Sequence, residues 1–107
     1  MSLRIEEYTL PAQSQLIGKN LRDSEIGQKT GAIILAIVDH NGNIRSNNQE
    51  RTQLASIPLQ EGDKLIAIGN EAQLQKLADF LQSQEQGFGI GKRRKKYQIL
   101  SNIKKAT

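Results

Sequence analysis

His40 is the only histidine of the chain, and it directly follows Asp39. A histidine beside a carboxylate is the pairing a general base with an orienting partner needs. No serine or cysteine motif accompanies it, and Ser46 and Ser56 lie in unremarkable loop sequence. Polar residues at the mouth of a hairpin are commonly there because they are solvated, so no catalytic residue is assigned and no enzyme is expected. Gly87-x-Gly89-x-Gly91 has the look of a phosphate loop, but that device needs a strand before it and a helix after it. Here a helical pattern precedes and a basic block follows, which reads as a linker. Glu6 and Glu7 are neighbours in a strand pattern and point to opposite faces, so they cannot act as a carboxylate pair. Asp63, after Gly62, is expected to order a tight turn through its own side chain. With one histidine, no cysteine and no acidic cluster of ligand-like spacing, no metal site is expected.

The elements that must carry these residues follow from periodicity. Leu3 to Leu10 alternates, with Leu3, Ile5 and Glu7 on one side and Arg4, Glu6 and Tyr8 on the other, as in a half-buried strand ended by Pro11. Asn20 caps a short helix running to about Lys29, with Gly31 as terminator. Ala32 to Val38 is continuously apolar and reads as a central strand covered on both faces. Asn41-Gly42 is a hairpin signal of the type I′ kind, with Asn43 to Asn47 returning. Asn48 to Ser56 is polar and reads as a loop. Leu59 to Asp63 forms a turn that launches the strand Lys64 to Gly69. Asn70 and Gln73 have capping-box spacing, and Leu74, Leu77, Ala78 and Leu81 then form one helical stripe. The predicted fold is a small α+β domain of βαβββα type, with a mostly antiparallel sheet, two helices and a basic C-terminal tail.

The 107 residues are enough for one domain, assigned to residues 1–86, with residues 87–107 as a flexible appendage. The tail holds seven basic residues and no acidic one, whereas residues 1–86 carry eleven acidic and eight basic residues. The body is therefore mildly acidic, which argues against nucleic-acid binding by the globular part. The block Lys92, Arg93, Arg94, Lys95 and Lys96 suits an anionic membrane surface or nucleic acid, or else serves only solubility. The longest apolar run, Ala32 to Val38, is far short of the roughly 20 residues of a membrane helix. No secretory pattern opens the chain, and a soluble cytoplasmic domain is expected.

One ordered set of motifs is more specific than any single one. It begins with Leu16-Ile17-Gly18-Lys19-x-Leu21 and Gly31 before the apolar strand. Asp39-His40-Asn41-Gly42-Asn43-Ile44 and Leu59-Gln60-Glu61-Gly62-Asp63-Lys64-Leu65-Ile66-Ala67-Ile68-Gly69 follow, then Leu74 and Leu77. Over about residues 3–82 this order resembles the C-terminal domain of the regulators of potassium conductance, the RCK-C or TrkA-C family. The resemblance implies a domain that dimerises, with a small-molecule site near the dimer interface and cyclic di-AMP among the ligands of relatives. It also implies a membrane cation channel or transporter as partner, hence a location in the cytoplasm at the inner face of the membrane. Many relatives carry a basic residue where this chain has Asp39-His40, and the stretch Ser46 to Ile57 looks longer than the family's usual link. Ligand residues are therefore expected to flank the hairpin and the loop, at His40, Asn41, Asn43, Arg45 and Pro58. The alternative reading is an adaptor whose basic tail docks on anionic membrane or nucleic acid while the body binds protein.

Overall fold

The computed structural model describes residues 2–85; the tail expected at residues 87–107 lies outside them. The elements are β1 (Arg4–Thr9), α1 (Leu21–Ser24), α2 (Ile26–Thr30), β2 (Ile33–Val38), β3 (Ile44–Asn47), a 3-10 turn (Asn48–Glu50), α3 (Arg51–Ser56), β4 (Lys64–Gly69) and α4 (Glu71–Ser83). The four strands form one sheet in the order β1-β4-β2-β3, antiparallel throughout. The expected α+β class and antiparallel sheet are present, but α3 interrupts the expected βαβββα order between β3 and β4, and there are four helices among the described residues where two were expected.

Local signals explain most boundaries. The Asn20 side chain accepts from Asp23 N at 2.7 Å and starts α1. Glu25, at φ 56°, separates α1 from α2, so the single expected helix is two short ones. Gly31, at φ 79°, ends α2, and a Cβ there would lie 3.2 Å from Gln73 Nε2. The capping box of α4 is complete: Asn70 Oδ1 accepts from Gln73 N at 2.8 Å, and Asn70 N donates to Gln73 Oε1 at 2.9 Å. Leu74, Leu77, Ala78 and Leu81 are buried as one stripe.

Two expectations need correction. Residues 48–56 are not a loop: Asn47 caps the 3-10 turn by accepting from Gln49 N at 2.9 Å, and α3 buries Leu54. One apolar side chain anchors this otherwise polar stretch, too little to register as a periodic stripe. Nor is β2 covered on both faces. Ile34 and Ile37 face the helices, while Ile33 is 59% exposed on the other side.

The core lies between the sheet and the helices, built on Tyr8, Leu10, Leu16, Ile37, Leu59, Leu65, Leu74 and Leu77. The buried side of β1 is the one carrying Glu6 and Tyr8. The Glu6 side chain is wholly buried, and its Oε2 accepts from the Tyr8 hydroxyl at 2.7 Å. That hydroxyl also lies 3.2 Å from the Leu74 carbonyl, which ties the edge strand to α4.

The opposite face of the sheet is largely apolar, and no helix of the described residues covers it. Register places Ile5, Ile33 and Ile68 side by side, Glu7 and Ala36 on either side of Ile66, and Val38 between Lys64 and Ile44. Ile44 is 64% exposed and Leu3, just before β1, is 52% exposed.

Candidate functional site

The β2–β3 hairpin is held by Asp39. Its Oδ1 accepts from Asn41 N and Asn43 N, each at 2.9 Å, and its own N donates to Asn43 O at 2.8 Å. Gly42 N donates to Asp39 O at 2.9 Å with Gly42 at φ 87°. Among the described residues Glu25 is the only non-glycine residue of positive φ, so the turn is not type I′, which would need positive φ at Asn41 as well. The Asn43 amide is the main cause of an Asp39 pKa held below the ordinary carboxylate value; the Asn41 amide and nearby His40 act the same way, and burial opposes them. The Asp39 carboxylate thus serves the turn through Oδ1, not the His40 ring.

Arg45, two residues beyond Asn43, closes the other side of this corner. Its guanidinium pairs with Asp63 through Nη1 and donates to Pro58 O through Nη2 at 3.1 Å. Asp63 is 1% exposed, and its Oδ2 also accepts from Gln60 N at 2.8 Å. The turn-forming role expected of Asp63 is present, with Arg45 as an added partner. His40 packs against the same turn, its Cβ 3.0 Å from where a Cβ on Gly62 would stand.

Of the five sequence-predicted site residues, Arg45 and Pro58 are bonded to each other, and His40 touches the turn that joins them. Asn41 and Asn43 enter through backbone amides on Asp39. His40, Asn41, Asn43 and Pro58 have exposed side chains at this corner, whereas both Arg45 amino groups are engaged. Sequence reasoning missed the Arg45–Asp63 pair, because the two residues are 18 positions apart and neither belongs to a shared motif.

The turn of residues 58–63 is itself a hub. Leu10 N donates to Asp63 O at 2.8 Å and Gly62 N to Leu10 O at 2.9 Å. Gly18 N donates to Leu59 O and Leu59 N to Lys19 O, both at 2.8 Å. Arg45 therefore links β3 to the end of β1 and to the segment entering α1.

Among the described residues there is no group of histidine, aspartate and glutamate side chains that could hold a metal. No helix among them is long and apolar enough to cross a membrane.

A family model of the TrkA-C domain matches residues 5–82. No curated protein matches the chain. Among solved structures, the RCK_C domain dimer of BusR from S. agalactiae in complex with c-di-AMP is similar, at 22% identity and a TM-score of 0.60, over 74% of this chain and 90% of that one. BusR of S. agalactiae in complex with its busAB-promotor DNA matches at 20% identity and a TM-score of 0.60, over 73% of this chain and 35% of that one. The GsuK channel matches at 25% identity and a TM-score of 0.58, over 74% of this chain and 13% of that one. The chain thus spans 90% of the isolated RCK_C domain chain and only 35% and 13% of the two longer chains.

Proposed function

This chain belongs to the TrkA-C domain family of regulatory domains, and from that premise we propose that it is a dimeric, ligand-sensing module regulating potassium or related ion transport. The observation that carries this reading is the uncovered apolar face of the sheet. A lone chain leaves Leu3, Ile33 and Ile44 more than half exposed beside Ile5, Ile66 and Ile68. Contiguous apolar surface of this kind marks an interaction site. A second copy related by a two-fold axis presents the same face and covers it. The BusR structure, an RCK_C domain dimer holding c-di-AMP, supports such an assembly for a domain of this fold.

Val38 and Ile44 on this face lead into the hairpin corner, so His40, Asn41, Asn43, Arg45 and Pro58 stand at the border of the proposed interface. We assign them the contacts to a small ligand shared between two copies, with cyclic di-AMP or another nucleotide as its chemical class. A ligand bound across the interface regulates a partner only if its affinity differs between the partner's two states. The partner in this reading is a membrane cation channel or transporter, reached from the cytoplasmic side. The protein acts by binding, not by catalysis.

The test is a melting series of the purified chain against cyclic di-AMP, other cyclic dinucleotides, ATP and NAD. A ligand at about 100 times its dissociation constant adds about 2.7 kcal/mol, which for a domain of this size raises the melting temperature by about 10 °C or more. No shift with any of these nucleotides would remove the nucleotide-sensor reading. The adaptor reading rests on the charge split alone, and predicts lipid or nucleic-acid binding that falls steeply with salt and needs residues 87–107.

A further inference from the structure

β3 is shorter than the strand it pairs with. It meets β2 only at Ala36, Ile37 and Val38, so Ile33, Ile34 and Leu35 have no strand beside them on that side. The chain turns away at Asn47 into the 3-10 turn and α3. A groove of about 900 Å³ lies where β3 would otherwise continue, walled by the first half of β2 on one side and by α1, α2 and α3 on the other. That volume falls in the range of about 300–1,000 Å³ typical of small-molecule sites.

The lining has two parts. Its floor is aliphatic, with Leu21, Ile26, Ile34, Leu35 and Leu54, and no aromatic side chain takes part. Nucleobases are commonly gripped by stacking on aromatic faces, so a flexible hydrocarbon chain suits this floor better than a base. Two arginines from different elements complete the lining, Arg22 of α1 and Arg51 of α3. Among the described residues Arg22 pairs only with its sequence neighbour Asp23, at 3.9 Å in an exposed pair that contributes little. Arg51 makes no ion pair among the described residues. Glu25, on the bend between α1 and α2, is the one acidic residue of the lining.

Two cations over an aliphatic floor are complementary to a molecule with one anionic end and one apolar end. We propose that this groove binds a free medium-chain carboxylate, its chain along Ile34, Leu35 and Leu54 and its carboxylate between Arg22 and Arg51. Guanidinium groups match a carboxylate through paired, charge-assisted hydrogen bonds. Leu21, Ile26 and Leu54 are buried in the groove and do not project from it, which favours a single chain entering the groove over attachment to a lipid surface. Ile33 and Ile68 belong both to this groove and to the open face of the sheet, so its occupant borders the proposed dimer contact. The site is separate from the hairpin corner and stands whether or not that corner binds a nucleotide.

The test is titration of decanoate, below its micelle concentration, into the full chain while backbone amide NMR shifts are followed. Saturable shifts are expected at residues 21–28, 33–35 and 51–55. The variant Arg22→Gln/Arg51→Gln is expected to weaken binding by at least about tenfold, the factor that losing charge-assisted hydrogen bonds implies. Decanol, with the same chain and no charge, should bind weaker by a similar factor. Glu25→Gln should tighten binding. Equal affinity for decanol and decanoate would overturn the proposal, as would an unaffected double-arginine variant whose melting temperature matches the parent. Absence of saturable shifts, or binding seen only with anionic phospholipid vesicles, would overturn it too.

Discussion

Replacing Arg45 by methionine (Arg45→Met) keeps most of the side chain's apolar stem and removes the cation facing Asp63. The Asp63 carboxylate, 1% exposed, is then left in the interior with the hydrogen bond from Gln60 N. Removing one member of a wholly buried pair costs about 3–5 kcal/mol, because the other charge stays desolvated. The Arg45 side chain is 19% exposed, so water reaches the vacated side and the expected loss is lower, at about 2–3 kcal/mol. For a domain of this size that is a fall in melting temperature of about 10–20 °C. Asp63→Asn keeps an acceptor for Gln60 N and leaves a cation that solvent can reach, so it should cost less. The double variant should recover part of the sum, with a coupling energy of about 1–2 kcal/mol. Added salt should change the parent's stability little through this pair, because a buried pair is poorly screened. The assay is thermal and urea unfolding of all four proteins. A coupling below about 0.5 kcal/mol, the ordinary scatter for independent sites, would refute the view that this pair fastens β3 to the turn of residues 58–63.

Asn70→Ala removes the reciprocal cap of α4 and should cost about 1 kcal/mol, read as a melting temperature lower by about 4–8 °C; no change would contradict the capping role. The Asp39 carboxyl is held below its unfolded value, so its contribution to stability is present above that unfolded value and is lost as pH falls through the lower folded one. The Asn41 and Asn43 amide resonances should accordingly titrate with a midpoint below the unfolded aspartate value of about 3.9; a midpoint at or above it would contradict the turn hydrogen bonds.

How much of this was readable in advance depends on the range of the interaction. The capping box at Asn70 and Gln73, the stripe of α4 and the stop at Gly31 are made by residues within one or two helical turns, and their spacing states them directly. β2 was legible as a strand but not as a strand with one open face. An apolar run has the same composition whether its second face meets a helix or another molecule. Glu6 and Tyr8 face the core because the Tyr8 hydroxyl satisfies part of the buried carboxyl, a pairing that a hydrophobic pattern assigns to solvent. α3 escaped notice because only Leu54 anchors it. The hairpin corner was located by its turn residues, while the Arg45–Asp63 pair and the groove beside β2 depend on how distant segments meet, which no local spacing records.

The proposed dimer requires that the open apolar face meet a second copy of the chain. Sedimentation velocity across a micromolar concentration series, on the parent and on Ile44→Asp, tests it most directly. Ile44 is 64% exposed in the single chain, so the substitution should leave the fold intact while placing a charge in the proposed contact. A species of twice the chain's mass is expected for the parent, and a folded monomer for Ile44→Asp. A parent that stays monomeric throughout, or an Ile44→Asp chain that dimerises as well as the parent, would contradict it.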